Sequence, residues 1–202
     1  MMTESILILA GMAILLIGSP GPAAMALAAT GSGHGFKQGL PLMSGLVAGV
    51  LLTGLLTSIG MLTLLNQWPE LKLVMQIIGT GFILVMAVRM LRQPLSEDSL
   101  AVRPDFGFRS GVVMNILSPK AYAVFMLLIT EFMPPVDHQW QGIVLLESVA
   151  LVATLIVTSG WLLFGRLLGQ LIQTRSARQK MRAVFASLMI LFVMPLLVTM
   201  PG

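Results

Sequence analysis

Six apolar stretches, residues 5–29, 40–65, 71–91, 110–132, 141–165 and 183–200, alternate with short polar separators along the chain. A helix needs about 20 residues to cross a bilayer at 1.5 Å per residue. The pattern therefore predicts an all-α integral membrane protein with six transmembrane helices. The third and sixth stretches are short, so five spans plus an interfacial segment is the alternative. The separators GSGHGFKQG, NQWPE, RQPLSEDSLAVRPDFGFR, MPPVDHQWQ and GQLIQTRSARQKMR read as loops. The N-terminal MMTESILILAG has no basic residue and carries Glu4. It reads as the start of a spanning helix and not as a cleaved signal peptide.

Two of the stretches interrupt themselves. GSPGP at 18–22 sets two prolines and a glycine inside a good helix-forming run; a proline in a helix interior costs about 3 kcal/mol. LSPKA at 117–121 repeats the Ser-Pro pair 99 residues later, close to half the chain. Each break falls in the first span of a three-span half. Three is odd, so the halves face opposite ways across the membrane, which predicts two inverted three-helix repeats with broken first and fourth helices. The boundaries expected are 1–92 for the first repeat, 93–109 for a cytoplasmic linker and 110–202 for the second. Proline is also common in membrane helices for packing reasons alone, and that reading stands beside the repeat.

Composition strengthens the membrane assignment. Apolar residues make up 56% of the chain and charged ones 10%, against about 25% charged in soluble domains; the mean hydropathy is +0.94. The net charge of +4 is dispersed between apolar segments, so it reads as topogenic charge and not as a nucleic-acid face. The loops after spans one, three and five hold ten of the twelve basic residues. The positive-inside bias makes those loops cytoplasmic and puts both termini outside. Trp68 and Trp140 then fall at outer helix ends and Trp161 near an inner one, the usual interfacial placement. With no cysteine in the chain, disulfides and thiolate metal sites are excluded. Two histidines in loops are too few for a metal site, and nothing in the sequence calls for a cofactor.

The chemistry of the breaks follows from the backbone. Pro20 and Pro22 have no N–H, so the carbonyls of Leu16 and Gly18 lose their helical partners, and Pro119 does the same to Asn115. Free carbonyls suit an ammonium or a cation, and the N–H groups opening the next half-helix suit a carboxylate. A zwitterionic amino acid presents both. Ser19, Pro20, Gly21 and Pro22 are thus candidates for substrate binding or gating. Lys120 lies eleven residues past Arg109, roughly 16 Å along a helix and near mid-bilayer. A lysine there costs on the order of 2.5–3.5 kcal/mol. It reads as a carboxylate partner or gate charge, or, if the segment before Pro119 is re-entrant, as a residue reaching headgroups. Asn115, Ser118 and Pro119 would supply ligands or caps, and Tyr122 a cavity wall. Ser118 and Lys120 are two apart, on different helix faces, which argues against a Ser/Lys hydrolytic dyad.

Glu147 is the one acidic residue in the interior of a predicted span. It could pair with Lys120, receive a substrate ammonium, carry a coupling proton, or face an outer vestibule. Gly45 and Gly49 in the second span have small-xxx-small spacing, which permits close helix packing; a core contact within one subunit comes first, with a homodimer seam as the alternative.

SPGP, HGFKQG at 34–39, GTGFILVMAVRML at 79–91 and VMNILSPKAYAVF at 113–125, in that order, resemble the LysE/RhtB family of amino-acid exporters. The resemblance implies a six-helix bacterial inner-membrane protein that exports amino acids or close derivatives from the cytoplasm, driven by the proton-motive force. It carries the family's motif positions onto Pro20, Gly21, Pro22, Asn115, Pro119, Lys120 and Ala121. Ser118 stands where the family usually has asparagine. Some members carry an acid about seven residues before a glycine-aromatic pair, a place held here by Thr154; Glu147 would then take over its coupling role. The competing functional class is a non-transporting membrane scaffold, in which the prolines matter only for stability. An enzyme is disfavoured by the absence of acid/base clusters.

Overall fold

A computed structural model describes residues 2–60, 67–92, 106–134, 138–171 and 174–198. No strand occurs among them. In chain order the helices are α1 (Met2–Gly18), α2 (Pro22–His34), α3 (Phe36–Ser58), α4 (Pro69–Arg92), α5 (Phe108–Ile116), α6 (Pro119–Glu131), α7 (Gln139–Leu171) and α8 (Arg175–Val198). Pro22, Pro69 and Pro119 each open a helix, the position where a missing N–H loses nothing and a fixed φ helps. The chain bends by 71° between α1 and α2 and by 64° between α5 and α6. Both expected breaks are therefore present.

Two expected loops are helix instead. GSGHGFKQG is the end of α2 and the start of α3, joined through Gly35 alone. Gly35 takes φ 81° and donates its N–H to the Gly31 carbonyl, a turn that favours glycine. In the basic stretch at 169–182, α7 continues to Leu171 and α8 begins at Arg175; straight-chain basic residues are good helix formers once tertiary packing supports them. The linker expected at 93–109 lies, up to residue 105, outside the described residues.

Length and composition allow α3 and the Trp140–Leu171 part of α7 to cross a membrane, and each bent pair qualifies taken together. Leu52, Leu55, Ile77, Val85, Val152, Ile156 and Phe164 are exposed along α3, α4 and α7, an apolar surface suited to lipid. Inside, small residues set the spacing. A methyl group on Gly45 would overlap the Phe108 carbonyl, and one on Gly111 would meet the backbone of Leu42 and Leu46. The Gly45–Gly49 face is thus used within the subunit, between α3 and α5.

Two clusters of buried apolar side chains form the interior. One joins Leu27, Leu42, Leu46, Ile83, Met114 and Leu162; the other joins Leu9, Val50, Phe125, Leu128, Leu146 and Ala150. The close approaches of Ser32 to Gly169, Leu162 to Gly39 and Phe108 to Gly45 gather the end of α2, the starts of α3 and α5 and the end of α7. Lys37, Arg109 and Arg166 accordingly share one end of the bundle, and all three are exposed.

Candidate functional site

Between the two clusters lies a cavity of about 120 Å³, room for several waters or a small solute. Leu27, Leu46 and Met114 of one cluster and Val50 and Phe125 of the other line it. Bending both broken helices at this level leaves a gap that neither cluster closes. Ser19, Gly21, Pro22, Asn115, Ser118, Lys120 and Thr154 all line it. Two sequence segments 99 residues apart are thereby brought onto one space. The extended backbone at Gly21 and at Ser118 precedes α2 and α6, and neither helix start has a side-chain cap. Pro22 and Pro119 carry no N–H, and the Ala121 N–H donates to the Ser118 carbonyl at 3.0 Å; each helix N-terminus is equivalent to roughly half a positive charge. The ends of α1 and α5, at Gly18 and Ile116, bring the opposite partial charge to the same breaks, so the net positive charge of the cavity is that of the Lys120 ammonium.

The Lys120 ammonium donates to the Ser19 hydroxyl at 2.7 Å and lies 3.5 Å from the Ser19 carbonyl. The Ser19 hydroxyl in turn donates to the Leu16 carbonyl at 2.7 Å. A serine nucleophile needs its proton facing a base; here the proton faces a carbonyl and the lysine acts as donor. The pair therefore links the two breaks instead of forming a hydrolytic dyad. It joins Lys120 to a serine 101 positions away, whereas sequence reasoning had weighed only Ser118.

The carbonyls freed by proline are not left bare, which corrects the expectation from the backbone alone. Leu16 accepts from Ser19. Gly18 accepts from the Trp161 indole at 3.3 Å, and Asn115 accepts from the Ser118 N–H at 3.0 Å. Each carbonyl retains a second lone pair. Trp161 is the residue that sequence reasoning missed. It lines the cavity and holds the first break. Its place beside Gly160 in an apolar run looks like an ordinary anchor, and no local signal separates the two roles. The Asn115 amide donates to the Leu46 carbonyl at 3.1 Å, tying α5 to α3.

Four candidates lie elsewhere. Pro20 is exposed at the bend, and Pro119 shapes α6 without lining the cavity. Tyr122 is buried behind it, and Phe125, one turn on, supplies the wall in its stead. Glu147 borders a separate hollow with Ala48, Leu51, Leu55 and Ser148. Its carboxylate oxygens are buried without a hydrogen-bond partner, so no pair with Lys120 exists. Thr154, seven residues further along α7, is fully buried, lines the cavity and has a hydroxyl without a partner.

A solute cavity between two broken membrane helices, with a link across it, is the architecture of a transporter. The chain belongs to the LysE type translocator family, which matches residues 12–200. That membership makes it a transmembrane transporter of the efflux kind and not an enzyme. Among similar proteins, an uncharacterized membrane protein of Pseudomonas aeruginosa is 25% identical over 131 residues, covering 60% of this chain and 61% of that protein. The homoserine/homoserine lactone efflux protein of Salmonella typhimurium is 22% identical over 181 residues, 88% of both chains. Its namesake in Salmonella typhi aligns with the same identity and coverage. No solved structure matches the chain.

Proposed function

We propose that this protein exports small amino acids, or close derivatives of them, from the bacterial cytoplasm across the inner membrane. The observation that carries this reading is the convergence of both breaks, two uncapped helix starts and Lys120 on one small cavity. The substrate carboxylate sits at Lys120 and the starts of α2 and α6. Its ammonium meets the spare lone pairs of Leu16 and Gly18 and the face of Trp161. The carboxylate competes with Ser19 for the Lys120 ammonium, so binding undoes the link between the breaks and frees them to move. The efflux role named for the Salmonella relatives favours the same class of solute.

The halves are taken as inverted repeats spanning the membrane six times, with α1–α2, α3 and α4 matching α5–α6, α7 and α8. The packing supports this pairing. α3 packs on α5 as α7 packs on α1, α2 on α7 as α6 on α3, and α1 on α6 as α5 on α2. Two pairs of repeat-related helices also meet each other, α3 with α7 and α4 with α8. The basic residues at the end holding Lys37, Arg109 and Arg166 favour that end as the cytoplasmic one, with both termini outside. Proton coupling is assigned to Glu147, a buried carboxylate in a spanning helix. The test is efflux from dipeptide-fed cells, with every amino acid in the medium measured. Expression of the protein is expected to raise one or a few small amino acids several-fold; an unchanged profile across all of them removes the reading.

A further inference from the structure

Around the proposed carboxylate position the cavity is chemically one-sided. Lys120 is its one charged lining residue, and no Asp or Glu stands among the described lining residues. Most of the wall is apolar, built from Ile17, Leu27, Val50, Met114, Val124 and Phe125. One feature does not fit an apolar wall. Thr154 lines the cavity although it is 0% exposed, and its buried hydroxyl has no hydrogen-bond partner. Buried polar groups in folded proteins are normally paired, and a lone hydroxyl on a cavity-lining residue is left for a solute to satisfy. Its neighbour Thr158 already donates to the Thr154 carbonyl at 2.6 Å.

Thr154 also stands at the right depth. Val157 abuts Gly18 at the first break. Thr154 lies three residues before it on α7, about 4.5 Å along the helix axis. That is about the reach from the substrate ammonium, placed at the Gly18 carbonyl, to the side-chain tip of a small amino acid.

Resting on the function proposed above, we infer that Thr154 is the specificity-determining residue of a side-chain subsite. It takes an uncharged side chain carrying a small hydrogen-bonding group, such as a hydroxyl. Cationic side chains are refused, because the cavity offers them Lys120 and no counter-charge. A buried hydroxyl that must be satisfied also discriminates against isosteric substrates that lack a partner for it. Amino acids whose carboxylate is blocked lose the other anchor.

The experiment is counterflow in proteoliposomes of the full chain, with homoserine, norvaline, lysine and homoserine methyl ester as competing solutes, for wild type and Thr154→Val. Wild type is expected to exchange homoserine at least tenfold better than norvaline, lysine or the ester. Thr154→Val is expected to bring the homoserine-to-norvaline ratio within about twofold of unity while norvaline exchange persists. Conservative Thr154→Ser restores the preference, which a merely structural role for Thr154 would not require. Lysine or the ester carried as well as homoserine, or a preference untouched by Thr154→Val, overturns the inference and leaves the transport reading standing. No exchange of any of the four above protein-free liposomes overturns the transport reading and the inference together.

Discussion

Replacing Lys120 with methionine separates the two jobs assigned to that side chain. Methionine keeps an unbranched stem of similar bulk and removes the charge. In the empty protein the lost contact is one hydrogen bond to Ser19, 2.7 Å long, made by an exposed residue. Such exposed charged contacts contribute less than about 1 kcal/mol to stability. In the loaded protein the lost contact is a charge-assisted bond to the substrate carboxylate, worth roughly 1.5–3 kcal/mol. At a factor of ten per about 1.4 kcal/mol, substrate affinity falls roughly ten- to hundredfold. Lys120→Met should thus keep its membrane abundance and thermal midpoint in detergent, while the half-saturating homoserine concentration in counterflow rises at least tenfold. Lys120→Arg, which keeps the charge with a different reach, should fall between. An unchanged half-saturation for Lys120→Met would refute the carboxylate assignment. A collapsed thermal midpoint would show instead that Lys120 serves the fold.

Glu147→Gln keeps the shape of the buried side chain and cannot exchange a proton. In everted vesicles it should abolish accumulation driven by a proton gradient while counterflow persists; intact gradient-driven accumulation would move coupling elsewhere. Trp161→Phe removes the 3.3 Å bond to the Gly18 carbonyl, a net loss of about 0.5–1.5 kcal/mol. The half-saturating concentration should rise by up to roughly tenfold at unchanged helix content by circular dichroism. Gly111→Leu forces a side chain into the backbone of α3; overpacking of this kind costs typically 1–3 kcal/mol. Its thermal midpoint should drop, whereas Gly160→Leu, which meets open space, should leave it unchanged.

Helix positions and both breaks were legible because proline and the apolar run act locally. Pro22 and Pro119 open helices at the first helical position, whereas Pro41 lies inside α3; the paired Ser-Pro breaks and their 99-residue offset are visible in the letters. The cavity's charge was legible too, since Lys120 is conspicuous in an apolar segment. What the letters hide is pairing across the fold. Ser19 answers Lys120 from 101 residues away, and Trp161 reaches the Gly18 carbonyl across 143. Sequence spacing could test only the local Ser118. Glu147 shows the same limit in reverse. It stands out as the acid of its span, yet the helix turns it onto a different hollow, while the unremarkable Thr154 faces the cavity.

Because the chain has no cysteine, single cysteines report directly on whether the cavity holds the substrate. Ala121→Cys places a thiol in the cavity wall and Ser148→Cys places one in the Glu147 hollow. Each is labelled with a small maleimide in everted vesicles, with and without saturating homoserine. The account predicts that homoserine slows labelling at position 121 at least fivefold and leaves position 148 unaffected. Protection at 148 and none at 121 would contradict the placement of the substrate between the two breaks.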